Sequence, residues 1–126
     1  MLFRSVTHAT DYPGAEKKRA GEHKLGGGPV LARGSSVSPV VFELLVECAE
    51  REQIPYSVQA APHDTSTDAD AIYNALRGIP TGLVSVPNRY MHSPNEMVAV
   101  EDLERAARLL AAFARRLDPK VNFIPG

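Results

Sequence analysis

Long apolar runs are missing from this chain. No uninterrupted apolar stretch approaches the roughly 20 residues that span a bilayer, and no charged segment leading into an apolar one opens the sequence. Neither a membrane helix nor a secretory leader is therefore expected. Charge of a single sign is missing as well: 14 Lys and Arg stand against 15 Asp and Glu, a formal net charge of -1. That balance excludes a broad basic face for nucleic acid and an acidic tail. The short basic clusters, Lys17 to Arg19 and Arg115 with Arg116, read as solvated surface. A single cysteine, Cys48, excludes an internal disulfide, and its apolar position in a predicted helix marks it as a small buried filler. A soluble protein of a reducing, cytoplasmic compartment is expected, binding neither nucleic acid nor membrane.

What is present suits one domain. A chain of 126 residues with 44% hydrophobic residues is long enough for a single core, and its Pro and Gly are spread through turns, with no linker or internal repeat. Ser38 is a plausible N-cap with Pro39 at the first helical position, and Val41, Leu44, Leu45 and Cys48 recur at helical spacing up to Ile54-Pro55. A second helix is predicted from about Asp102, with Leu103, Ala106, Ala107, Leu110, Phe113, Ala114 and Leu117 on one stripe. Acids stand at its start and Arg115 and Arg116 at its end, as the helix dipole favours, and Pro119 stops it. Between them, IPYSVQAA alternates like a strand at Ile54, Tyr56, Val58 and Ala60, and TGLVSVP is an apolar β-prone run. The segment STDADAIYNALRG, residues 66 to 78, has the cap, early acids and closing Gly78 of a third helix. Helix, strand, helix, strand, helix argues for an α/β layer with a mainly parallel sheet, whose ligands gather beyond the carboxyl ends of the strands. His92 follows one such end.

Most local motifs for chemistry are absent. LGGGP, residues 25 to 29, lacks the spacing of a phosphate loop and of a dinucleotide fingerprint, and reads as a tight turn or bulge that needs permissive backbone angles. RGSSVS lacks the G-x-S-x-G elbow of a serine hydrolase. His8, His23, His63 and His92 show no H-x-H or H-E-x-x-H spacing, so no self-contained zinc site is legible and each alone is ordinary. Asp68 and Asp70 diverge on a helix and read as capping acids.

Taken together, SVTHATDYPG at 5 to 14, HKLGGGPVLARGS at 23 to 35, IPYSVQ at 54 to 59, STDADAI at 66 to 72 and VPNRYMHSPNEMVAVEDLE at 86 to 104 resemble the C-terminal part of the M42 metallo-aminopeptidases. That family includes glutamyl aminopeptidases and proteins labelled endoglucanases. The resemblance covers nearly the whole chain, and its most specific element is P-x-R-Y-x-H-S followed by an acid and the Asp102-Leu103 pair. It implies a three-layer α/β/α zinc-peptidase-like fold, of which residues 1 to 126 would be a single partial catalytic domain without the family's inserted assembly domain. It implies removal of N-terminal residues from a peptide substrate by two divalent ions, zinc or cobalt, with a glutamate as general base. By this resemblance His92 corresponds to a metal ligand, while Thr67, Asp68, Arg89 and Tyr90 are candidates for the site's wall or for support of its ligands. Bland alternatives stay open: Asp68 as a helix cap, Arg89 in an ion pair.

The chain departs from the family pattern at Ser5, where an aspartate ligand is expected, and a hydroxyl is a poor substitute for a carboxylate on a hard or borderline cation. Met1-Leu2-Phe3-Arg4 also departs from the apolar strand expected there, as in a gene fragment. The general base and most ligands belong to segments outside these residues, so the expectation is a chain inactive alone, with no stably bound metal. An uncovered sheet edge would then favour homo-oligomers. The alternative is a non-catalytic binding or assembly module derived from the same fold. A small unrelated ligand-binding domain has only the glycine loop in its favour.

Overall fold

The apolar run TGLVSVP becomes the centre of a sheet. In the computed structural model, which describes residues 2–11, 22–61 and 79–124, the elements are β1 Leu2–His8, β2 Val30–Gly34, α1 Pro39–Arg51, β3 Ser57–Ala61, β4 Gly82–Arg89, β5 Met97–Val98 and α2 Val100–Arg116. Residues Gly82 to Asn88 of β4 are all buried, as befits a strand covered on both faces. The order is β1-β4-β2-β3, with β5 paired to β4. β1 runs parallel to β4, in register from Leu2↔Gly82 to His8↔Asn88, and β2 runs parallel to β3. The two pairs meet antiparallel, at Val30↔Ser85 and Leu31↔Val84. The sheet is mixed, where alternation of helix and strand alone predicts a mainly parallel one. β1 and β2 were not legible as strands: the first is interrupted by Arg4 and Ser5, and the second is only five residues long beside a glycine loop.

α1 starts where Ser38 and Pro39 predict it, with the Ser38 Oγ accepting from the Val41 N–H at 3.4 Å. Val41, Leu45, Cys48 and Ala49 of α1 meet Leu31, Val84 and Val86 of the sheet and Ala106, Leu109, Ala112 and Phe113 of α2 in one core. Helix α1 comes so close to the sheet at Gly82 that a Cβ there would overlap the Val41 side chain. Burial pushes the Cys48 thiol above its ordinary range, in keeping with a filler rather than a nucleophile.

Two patterns shift relative to the sequence. In β3 the strand begins only at Ser57, and Val58, expected inside, is 41% exposed, while Ile54 is buried in the preceding turn. In α2 the buried face is Asp102, Ala106, Leu109, Ala112 and Phe113, not the stripe through Leu103, Ala107 and Ala114. Leu103 is 47% exposed and, with Val6, Val84, Val86 and Leu110, lines a groove of 520 Å³ between β1 and α2. The helix has two apolar shoulders, and periodicity alone does not tell which one meets the sheet. The segment predicted as a helix at residues 66 to 78 lies outside the described residues.

The rotation of α2 has a measurable consequence. Leu109→Ala should cost about 3 kcal/mol in urea unfolding, as for a fully buried leucine, and Leu103→Ala under about 1 kcal/mol. Equal losses would contradict the observed face.

Candidate functional site

His92 sits in the turn of a β-hairpin. β4 ends at Arg89, and β5 returns antiparallel through Arg89↔Met97 and Asn88↔Val98. The turn is closed by short local bonds. The Ser93 Oγ–H donates to the Tyr90 carbonyl at 2.6 Å, the Asn95 N–H donates to Ser93 Oγ, and the His92 N–H donates to Glu96 Oε1 at 2.7 Å. Tyr90 and His92 both hold left-handed backbone angles, with φ of 61° and 66°. Such angles are uncommon outside glycine and are kept where surrounding bonds over-determine them, often at functional positions. The result is an exposed imidazole at the carboxyl end of the central parallel strand pair, where the sequence placed it.

His92 has one aromatic neighbour among the described residues. The ring of His8, the last residue of β1, lies edge-on with its centroid 6.4 Å away. Ser5, the position of the expected aspartate, sits three residues back in the same strand, in register with Ser85. Sequence reasoning treated His8 as ordinary; only the parallel register of β1 with β4 brings it beside the hairpin.

Both ends of the hairpin are tied to the glycine loop. On the β4 side Arg89 pairs with Asp11 through two bonds, Nη2 to Oδ2 at 2.7 Å and Nε to Oδ1 at 3.2 Å. This bidentate geometry is the favoured one for arginine and carboxylate. Asp11 Oδ2 also accepts the Leu25 N–H at 3.1 Å. On the other side, just after β5, Asp102 in the first turn of α2 is completely buried and accepts the Gly26 N–H at 2.8 Å and the Gly28 N–H at 2.9 Å. Arg105 completes the clamp by donating to the Gly26 carbonyl at 2.6 Å. The loop reaches this shape because Gly26 and Gly28 both adopt positive φ, and at Gly28 a Cβ would also strike the Pro55 carbonyl.

The LGGGP turn does therefore cradle an anion, and the anion is the chain's own. With Gly26 and Gly28 N–H groups aimed at Asp102, they are not free for a phosphate. Of the expected site residues, Arg89 is ion-paired with Asp11 at the edge of the turn, Tyr90 and His92 share the turn, and Thr67 and Asp68 lie outside the described residues. Asp11 and Asp102 were missed, although each stands in a segment that carries the family resemblance; Asp102 looked like a dipole-complementing acid of the first helical turn. His23 is buried and structural: its N–H donates to Thr10 Oγ1 and its Nδ1 contacts Ser57 Oγ, both at 2.8 Å.

The pairing leaves a signature in acid. The hydrogen bonds from Arg89, ahead of the opposing effect of burial, hold the Asp11 carboxyl below its ordinary 3.8. Because the folded value is depressed, its stabilising contribution is complete above the ordinary value and disappears as pH falls through the lowered one. The stability gap between the native chain and Asp11→Asn in urea should be open at neutral pH and close below pH 3.8. A carboxyl resonance of Asp11 titrating at or above the ordinary value would contradict the pairing.

These segments have counterparts in known proteins. Residues 5–109 match the family described as M42 glutamyl aminopeptidase. The lysyl aminopeptidase of Pyrococcus furiosus is 33% identical over 102 residues, which is 81% of this chain and 29% of that protein. Among solved structures, an aminopeptidase from the archaeon Desulfurococcus kamchatkensis superposes with a TM-score of 0.84 at 36% identity, covering 94% of this chain and 34% of that one. The TET1 peptidase of Pyrococcus horikoshii, which can assemble into a tetrahedron or a large octahedral shell, superposes with a TM-score of 0.69 at 26% identity, covering 93% and 34%. The chain thus spans about a third of the length of the relatives it matches and shares their α/β fold. With the family match running from the end where Ser5 lies to the core of α2, the chain belongs to the M42 glutamyl aminopeptidase family.

Proposed function

We propose that these residues form the C-terminal part of the catalytic domain of an aminopeptidase that acts on the N-terminal residue of peptides, and that they are inactive without the rest of that fold, whether it is supplied in the same polypeptide or by another chain. The observation that carries this is the presentation of His92: an exposed imidazole at the carboxyl end of β4, in a left-handed turn fixed by Glu96.

The two-metal centre that the family implies does not fit the described residues by themselves. Among them no group of three or more His, Cys, Asp or Glu side chains converges on a point, and zinc takes at least three protein ligands in its structural and catalytic sites. Position 5 supplies a hydroxyl where a carboxylate is required. What these residues contribute is placement: Arg89 and Asp102, on either side of the hairpin, fix its two ends, and the hairpin offers His92 as one donor to a centre of zinc or cobalt. The single buried thiol suits a reducing, cytoplasmic setting.

Ser5 favours a second reading, a non-catalytic binding or assembly module that keeps the scaffold without its metals. Homo-oligomers belong to both readings. Among the described residues β1 is paired on one side only, Val6 is 43% exposed, and the groove beside α2 is apolar. Such an edge invites pairing.

Activity and assembly are tested on one preparation. The 126-residue protein, supplied with zinc or cobalt, should not hydrolyse leucine or glutamate amides and should scatter light as an oligomer at micromolar concentration. Turnover with stoichiometric, tightly held metal would overturn the claim of inactivity, and a monodisperse monomer would overturn the self-association.

A further inference from the structure

Helix α2 carries an apolar stripe that the core does not use. Val100, Leu103, Ala107, Leu110, Ala114 and Leu117 follow one another at alternating steps of three and four residues, the spacing of a coiled-coil seam. The face that meets the sheet and α1 is a different one, through Ala106, Leu109, Ala112 and Phe113. Along the seam Val100 is 67% exposed, Leu103 47% and Leu117 45%, Ala107 and Ala114 are exposed, and Leu110 is half-buried. Two hollows border it. The groove of 520 Å³ reaches Leu103, Ala107 and Leu110, and a second hollow of 190 Å³, against Leu2 and Phe123, reaches Leu110, Ala114 and Leu117.

The order of large and small residues along the seam decides what fits it. Laid antiparallel on itself with Ala107 opposite Leu110, the seam sets Leu103 opposite Ala114 and Val100 opposite Leu117, so every leucine meets a smaller side chain. A parallel pairing would set leucine on leucine and alanine on alanine. The flanking charges favour the same arrangement. Glu104 and Arg115 are both exposed, and neither makes an ion pair among the described residues. On one helix they stand about 16 Å apart along the axis, too far to meet; in the antiparallel pairing Glu104 of each copy comes within about 3 Å, along the axis, of Arg115 of the other.

We propose that α2 pairs antiparallel with α2 of a second copy of this chain across a two-fold axis, through the seam from Val100 to Leu117. The proposal rests on the self-association argued above and names the face that carries it. The alanines let the two helices approach closely, and the leucines of each copy fill the hollows beside the other's seam. Six residues would be a short seam for two free helices. Here the helix is already formed and held by its opposite face on the sheet, so pairing loses no helix-forming entropy. A contact of this kind uses the same patch on both copies and closes at two chains.

Sedimentation equilibrium of the intact chain and its variants tests the seam. The native protein should be a dimer at micromolar concentration. Ala107→Glu, at an exposed helical position, sets a carboxylate opposite Leu110 of the second copy and should weaken pairing at least about tenfold. Glu104→Arg and Arg115→Glu should each weaken it about threefold, and the double reversal should return it to near the native affinity. Should Ala107→Glu fail to fold, the charge reversals decide. A dimer that Ala107→Glu leaves equally tight, a double reversal no tighter than the single variants, or an assembly larger than two chains would overturn the seam and leave self-association standing; a native monomer would overturn both.

Discussion

The carboxylate of Asp102 has no access to water, and the site end of the molecule is organised around satisfying it. A buried, ionised carboxylate without partners is too costly to keep, so its two oxygens must meet donors. The donors are the N–H groups of Gly26 and Gly28, which converge only because both glycines take positive φ, and Arg105 lies 3.7 Å from the same carboxylate. A glycine loop that could have cradled an external anion is thereby turned into a socket for α2. Asp11 repeats the device at one remove, taking the Leu25 N–H and the Arg89 guanidinium at once.

The consequence for function is geometric. The chain leaves β4 at Arg89, makes the turn that carries His92, and re-enters the fold at Asp102; both exits are pinned to the same four-residue loop, Leu25 to Gly28. A hairpin turn held at one end would swing, whereas one held at both ends presents its side chain at a fixed place. Precision of that order is what metal ligands and substrate-binding groups require, and it is supplied here by backbone N–H groups, two carboxylates and the Arg89 guanidinium. The same loop sits beside β2, so the hairpin is referred to the sheet rather than to a surface segment.

Much of this was legible in the sequence, and the rest was hidden for identifiable reasons. Ser38-Pro39, the β-prone run into Pro87 and the charges at the ends of α2 are local signals, and they placed both described helices and the central strand. The motif around His92 located the candidate site because its specificity lies in contiguous residues. Hidden were facts that depend on residues far apart in the chain: 76 positions separate Asp102 from Gly26, 78 separate Asp11 from Arg89, and no periodicity reports such pairs. The buried face of α2 was misjudged because Asp102, a charged residue, points inward while Leu103 points outward, the reverse of the usual rule. His8 gained meaning only through the register of β1 on β4.

If Asp102 clamps the loop in solution, the Gly26 and Gly28 amides are locked to a group that becomes accessible only when α2 leaves the sheet. Native-state hydrogen exchange of the wild-type chain measures this directly. The account predicts that these two amides, though in a loop, exchange only as fast as the amide of Leu109 in the core of α2. Exchange of Gly26 and Gly28 at the rate of an open surface loop, while Leu109 stays protected, would contradict it.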